Sequence, residues 1–173
     1  MDKAGTRGLI SQAISDAPGP DAKTPHEAFS RLDQMAKRYK GHERIQIAYG
    51  PHAPYTCGDS LLKEITKRNA ASLPVCIHVS ETNKEVEDSL QQFRKTPVER
   101  LRDLGLLNHQ TVMFHCVHVT DRDIEIMAEA NVGVVHNPES NMKLGVGVAP
   151  VTKMFRAGIA VGLGTDGASS NNN

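Results

Sequence analysis

Tryptophan is absent from the 173-residue chain, and aromatic residues make up only 4% of it. A core without large rings must be built from Val, Ile, Leu, Ala and Met, within a hydrophobic fraction of 39%. Neither sign of charge is in excess, with 20 Lys and Arg against 20 Asp and Glu. That balance argues against nucleic-acid and membrane-surface partners, which require a basic face. No apolar run approaches the roughly 20 residues that span a bilayer, and no signal-peptide pattern is seen. Cysteine is scarce and odd in number: Cys57, Cys76 and Cys116, two of them inside apolar runs. This usage excludes a disulfide framework and a cysteine-type zinc site, and points to reduced thiols in a cytoplasmic protein.

What is present is a regular alternation. Apolar segments at Arg7–Ser15, Arg44–Tyr49, Val75–Ser80, Thr111–Val119, Val132–His136 and Ile159–Leu163 read as strands. Between them lie helix starts with local signatures. Thr24-Pro25-His26-Glu27 and Thr96-Pro97-Val98-Glu99 each combine an N-cap Thr, a Pro in the first turn and a Glu at the third position. The first such helix is expected to reach about Lys40, with Phe29, Leu32, Met35 and Ala36 facing inward. Asp59 or Ser60 is expected to cap a helix to about Ala71. Thr82–Arg94 reads as helical, Gly105 closes the helix that opens at Thr96, and Asp121–Ala130 and Pro150–Ala157 are two more. Strands that are continuously apolar and separated by helices indicate a parallel α/β sheet covered on both faces. No Gly-rich phosphate loop follows the first strand, which disfavours a dinucleotide fold.

Polar residues gather after the strands instead: His52, His78 with Glu81, His115 with His118, His136 with Asn137, and Asp166. Chemistry spread over many strand ends is the habit of a (β/α)8 barrel. The stretch Val75–Glu81 is the centre of this pattern, since a His near a strand end can ligate a cation and a nearby carboxylate can move a proton. Parity sets conditions on it. If His78 faces the barrel mouth in an extended strand, Glu81 faces away, and it reaches the site only where the strand ends at Ser80 and the chain bends. His115 and His118 fall on opposite faces for the same reason. Asp166, in Thr-Asp-Gly, fits a simple turn as well as a strand-end ligand. His26, His42 and His109 read as solvated, and His136, Asn137, Ser140 and Asn141 as a hydrogen-bonded loop brace.

The segments GPHAPYT (50–56), IHVSE (77–81), FHCVHV (114–119), HNPESNMKLGVGVAP (136–150) and LGTDGASSNN (163–172) resemble the amidohydrolase superfamily. The resemblance is to the branch holding S-adenosylhomocysteine/methylthioadenosine deaminases, guanine deaminase and triazine chlorohydrolases. It implies a partial (β/α)8 TIM barrel with about six βα units, corresponding to barrel strands three to eight. It also implies that residues 1–173 are an incomplete barrel domain, lacking strands one and two, the C-terminal end and a small β-sandwich. By the same resemblance His78 and Asp166 ligate one divalent metal, Zn(2+) or Fe(2+). Glu81, His115 and Asp166 are catalytic, and His52 and Ser170 touch substrate. The implied partner is a small aminated heterocycle.

The implied reaction is hydrolytic deamination of an adenosine-type nucleoside. The alternatives are a guanine or cytosine deaminase, a triazine hydrolase, or an inactive remnant with a structural or binding role. The resemblance has two gaps. The family's His-x-His pair of metal ligands occurs nowhere in the sequence, so the metal site is expected to be incomplete. Gln12 stands where an Arg for the substrate tail is expected, and residues 16–26 contain no Arg. An incomplete barrel exposes strand edges, so the chain is expected to form a homo-oligomer.

Overall fold

The computed structural model describes residues 2–69 and 73–171. Six strands form a sheet in sequential order: β1 (Gly8–Ile14), β2 (Ile45–Pro51), β3 (Val75–Val79), β4 (Thr111–His115), β5 (Gly133–His136) and β6 (Ala160–Leu163). The strand pairs β1–β2, β2–β3, β4–β5 and β5–β6 are parallel. The intervening helices are α1 (Pro25–Arg38), α2 (Asp59–Arg68), α3 (Asn83–Phe93), α4 (Pro97–Asp103), α5 (Asp121–Glu129), α6 (Pro138–Leu144) and α7 (Val151–Arg156), and a short 3₁₀ turn covers Asp2–Ala4. The chain divides into two compact units, Met1–Cys76 and Ile77–Asn173. Among the described residues no helix is long and apolar enough to cross a membrane.

In the first unit, Thr24 caps α1 by accepting from the Glu27 N–H at 3.2 Å. The α1 helix buries Ala28, Phe29 and Leu32, while Met35 and Ala36 are only half-buried, so the apolar seam lies toward the helix start. These side chains pack among Ile14, Ile45, Ile47, Leu62 and Ile65, the aliphatic core that the composition requires. Two details depart from the sequence reading. Gly58, not Asp59 or Ser60, is the N-cap of α2, and its N–H is satisfied by Asp16 Oδ2 at 2.6 Å. The end expected near Ala71 lies outside the described residues. His42 is more than solvated: its Nδ1 accepts from the N–H groups of Arg44 (3.2 Å) and Ile45 (3.1 Å), fixing the entry into β2.

The second unit is built on Ile77, Val79, Leu101, Met113, Ile126, Met127, Val134 and Met154. Its helices α4 and α5 both carry reciprocal capping boxes, Thr96 with Glu99 and Thr120 with Asp123. Asp123 also accepts the Thr96 hydroxyl at 2.5 Å, so one buried carboxylate joins the starts of two helices. The strand expected over Thr111–Val119 stops at His115, because His115 and Cys116 both take left-handed backbone (φ 69° and 48°). Helix α6 was not anticipated. Its Pro138 in the first turn and Glu139 behind it are the ordinary signals of a helix start, masked by the polar run Asn137–Asn141.

Candidate active site at the strand ends

The site residues of the second unit sit where strands stop, and the stops are strained. Ser80 after β3, His115 and Cys116 at the end of β4, and Asp166 after β6 all have positive φ without being glycine (51°, 69°, 48° and 61°). Left-handed backbone at such residues persists only where surrounding contacts impose it, and it is concentrated at functional sites. Here it redirects side chains that a straight strand would send to the wrong face. The bend at Ser80 brings Glu81 round so that its Oε2 lies 3.8 Å from His115 Nε2. Asp166 Oδ2 lies 3.8 Å from the same nitrogen. His78 completes the group, its ring centroid 5.6 Å from that of His115 and tilted by 32°.

One ligand atom each from His78, His115 and Asp166 can be chosen so that all lie within 4.8 Å of one another. Two imidazoles and a carboxylate are a donor set suited to zinc, and three protein ligands are the number a catalytic zinc site usually keeps. The sequence reading counted two ligands in this chain. The turn at His115 brings in a third donor that strand parity alone does not locate.

His115 is 1% exposed, and both its ring nitrogens are engaged. Nδ1 lies 2.9 Å from Asn141 Oδ1, and Asn137 Nδ2 lies 3.3 Å from Nε2. In the tautomer that satisfies both, Nδ1–H donates to Asn141 Oδ1 and the Nε2 lone pair accepts from Asn137 Nδ2. Asn137 and Asn141, read from sequence as a loop brace, are therefore the residues that orient this imidazole. Asp166 Oδ2 accepts from the hydroxyls of Ser140 (2.7 Å) and Ser170 (2.9 Å), and Oδ1 accepts from the Gly167 N–H at 2.8 Å. Burial pushes the Asp166 carboxyl upward, but these hydrogen bonds together with His115 outweigh it and hold the group below the usual aspartate range. The carboxylate is thus ionised at neutral pH and available as a ligand or proton acceptor. His136 moves the other way for a His: burial first, then neighbouring His115, holds its pKa down, so the ring is neutral.

His118 is directed away from this group, its Nε2 lying 2.7 Å from the Val146 carbonyl. Ser170 is buried against Asp166. His52 belongs to the first unit. Its ring is exposed, with Nδ1 2.9 Å from Thr56 Oγ1 and an edge-on contact to Tyr55, and it borders a cavity of about 150 Å³ lined also by Ala13, Ile14, Ser15, Gly19 and Ala28. Gln12 is buried, and its amide donates to the Ala13 carbonyl at 3.0 Å.

Parallel βα units with a metal-compatible His/His/Asp group at their carboxyl ends define a partial (β/α)8 barrel of the metal-dependent hydrolase type. The match to the Amidohydrolase family runs over residues 1–173, and the chain belongs to that family. It is 48% identical to the 5-methylthioadenosine/S-adenosylhomocysteine deaminase of Caldanaerobacter subterraneus, over 99% of this chain and 40% of that protein. It is 43% identical to the 5'-deoxyadenosine deaminase of Methanothermobacter thermautotrophicus, over 100% of this chain and 41% of that protein. Among solved structures, an adenosine deaminase from Xanthomonas campestris with bound zinc superposes with a TM-score of 0.95 at 36% identity, over 99% of this chain and 39% of that one. The chain thus spans about 40% of the length of the curated relatives it matches.

Proposed function

We propose that the protein of which this chain is a part hydrolytically deaminates an adenosine-type nucleoside of the methylthioadenosine/S-adenosylhomocysteine class. The observation that carries the reading is the convergence of two carboxylates, Glu81 and Asp166, on His115 Nε2 at 3.8 Å each. Deamination of an aromatic amidine needs a group that takes a proton from water and a second that delivers one to the ring nitrogen. The names of the relatives, at 43 to 48% identity, support the substrate class.

His78 and Asp166 are the residues of this chain that would hold a divalent metal, zinc in preference to iron given the zinc in the Xanthomonas structure, with a nitrogen of His115 within 4.8 Å of both. When bound, the metal would supply a Lewis acid that brings the pKa of water down to about 7. Asp166 accepts the proton of the attacking water. His115, with its tautomer set by Asn141, orients that water through Nε2. The water oxygen adds to the amino-bearing ring carbon while Glu81 protonates the adjacent ring nitrogen. The tetrahedral adduct then collapses: its hydroxyl returns a proton to Glu81 and becomes the carbonyl, Asp166 passes the proton it took from water to the amino nitrogen, the C–N bond breaks, and ammonia leaves. Ser170 and His52 are proposed to contact substrate, Ser170 also fixing Asp166.

Three cysteines outside any disulfide, with Cys57 and Cys116 buried, support a cytoplasmic protein. Among the described residues β1 pairs with β2 alone and β6 with β5 alone, which supports self-association of the 173-residue chain on its own. The test uses the full-length protein. Glu81→Gln is expected to abolish ammonia release while metal content stays at the wild-type level, and retained turnover with loss of metal would refute the assignment. A panel of methylthioadenosine, S-adenosylhomocysteine, 5'-deoxyadenosine, guanine and a chlorotriazine separates the nucleoside reading from the guanine and triazine alternatives. Inactivity toward all of them favours the remnant.

A further inference from the structure

The buried carboxylate of Glu85 has no part in the chemistry above, yet it holds the turn on which that chemistry depends. Glu85 is only 6% exposed and occupies the third position of α3. In α4 and α5 the acidic residue at this position folds back onto its own cap: Glu99 accepts from the Thr96 N–H at 2.9 Å, and Asp123 from the Thr120 N–H at 2.8 Å. Glu85 reaches past its cap, Thr82. Its Oε1 accepts from the Ser80 N–H and its Oε2 from the Glu81 N–H, both at 2.9 Å. Ser80 is the left-handed residue that ends β3, and Glu81 is the residue that this turn redirects.

The other side of the Ser80 peptide is held as well. Its carbonyl accepts from the N–H groups of Val117 (3.0 Å) and His118 (2.9 Å), and the Val79 carbonyl accepts from Cys116 at 3.0 Å. The segment Cys116–His118 follows directly on His115. One carboxylate therefore fixes two consecutive amides, and the carbonyl between those amides fixes the turn that carries the central imidazole. Ser80 is fully buried, so loss of the carboxylate would leave an N–H in the interior with no acceptor, and the strained φ with nothing to impose it.

We propose that Glu85 is a positioning residue for catalysis: by clamping the Ser80 and Glu81 amides it sets the reach of the Glu81 carboxylate toward His115. The proposal rests on the assignment of Glu81 as the proton-transfer group. Full-length Glu85→Gln, Glu85→Asp, Glu81→Gln and the double variant E81Q/E85Q are compared by steady-state kinetics with methylthioadenosine, metal stoichiometry and thermal midpoint. Misplacement of a reacting group by about 1 Å costs about 10²-fold. Glu85→Gln is expected to lower kcat by about that factor with KM held within about threefold and metal content unchanged. Glu85→Asp, which retains the buried charge on a shorter arm, is expected to fall between, and it carries the comparison if the Gln variant does not fold. The double variant is expected to be no slower than Glu81→Gln alone, because Glu85 acts through Glu81.

A Glu85 variant with a lowered thermal midpoint but wild-type kcat would reduce Glu85 to a structural residue and overturn the proposal, and so would independent, multiplying losses in the double variant. Wild-type turnover in Glu81→Gln would instead remove the acid/base reading on which the proposal stands, and it is read from that variant alone.

Discussion

The hydroxyl of Ser140 donates to Asp166 Oδ2 over 2.7 Å, from the first turn of α6 to the left-handed residue that follows β6. Ser170 reaches the same oxygen at 2.9 Å, so one carboxylate oxygen is held from two sides. Partners that orient a ligating carboxylate are worth about 10- to 100-fold in metal affinity. Ser140→Ala in the full-length protein is expected to weaken zinc binding by about that range, measured by competition with a chromophoric chelator, while Ser140→Thr retains most of it. Unchanged affinity in the alanine variant would show that Asp166 is held without Ser140.

Gly164 tests how closely the β5 and β6 strand ends approach. A Cβ at this position would collide with Asn137 Oδ1 and Val135 Cγ1, while its N–H donates to the His136 carbonyl at 2.9 Å. Asn137 cannot give way freely, because its Nδ2 is 3.3 Å from His115 Nε2. Gly164→Ala is expected to cost about 1–3 kcal/mol through overpacking, read from urea unfolding. It is also expected to reduce turnover as Asn137 is displaced from the imidazole. A variant as stable and as active as wild type would mean that the strand ends separate at no cost.

The starts of α1, α3, α4 and α5 were legible in the sequence because each is decided within four residues. Thr24, Thr82, Thr96 and Thr120 all serve as N-caps, as their neighbours dictate. The strand order was legible too, since apolar runs separated by helices admit little but parallel pairing. What could not be read was set by partners far away in the chain. The strand expected to continue to Val119 stops at His115, because the Ser80 and Val79 carbonyls capture the amides of residues 116 to 118. Gly58 caps α2 because Asp16 lies against it, 42 residues away. Glu81 was named as a site residue conditional on a bend, and the bend at Ser80 is present. The residue whose carboxylate holds that bend, Glu85, carries no signal that singles it out in the sequence. Its burial was not visible in the sequence.

Cys116 lies at the left-handed corner after β4, fully buried. Burial, and then the neighbouring charges of Glu85 and Asp123, push its thiol pKa far above the ordinary range. Burial similarly raises that of Cys57. Only the thiolate attacks a disulfide reagent, so both residues are expected to be unreactive toward Ellman's reagent at about pH 8 in the native protein and to react at once on denaturation. Fast labelling of native Cys116, located by peptide mapping, would mean that the turn bearing His115 opens on the timescale of the reaction.

The acid–base behaviour of Glu85 gives a signed test of its burial. Desolvation raises its carboxyl pKa above the ordinary value, and the N–H bonds from Ser80 and Glu81 only partly oppose the rise. Between the ordinary carboxylate pKa and the raised one, the native state binds more protons than the unfolded chain. Stability therefore falls as pH rises through that interval. The contribution is fully present below the unfolded value and is lost above the folded one. Glu85→Gln removes this titration but not the other carboxylates, so the stability difference between wild type and variant isolates it. That difference is expected to be larger at about pH 4 than at about pH 7, with wild type losing ground on the alkaline side. Thermal midpoints of the two full-length proteins, measured in parallel across this range, decide the matter. A wild-type advantage that grows toward neutral pH would mean that the Ser80 and Glu81 amides stabilise the carboxylate by more than burial penalises it. The native pKa of Glu85 would then lie below the ordinary value.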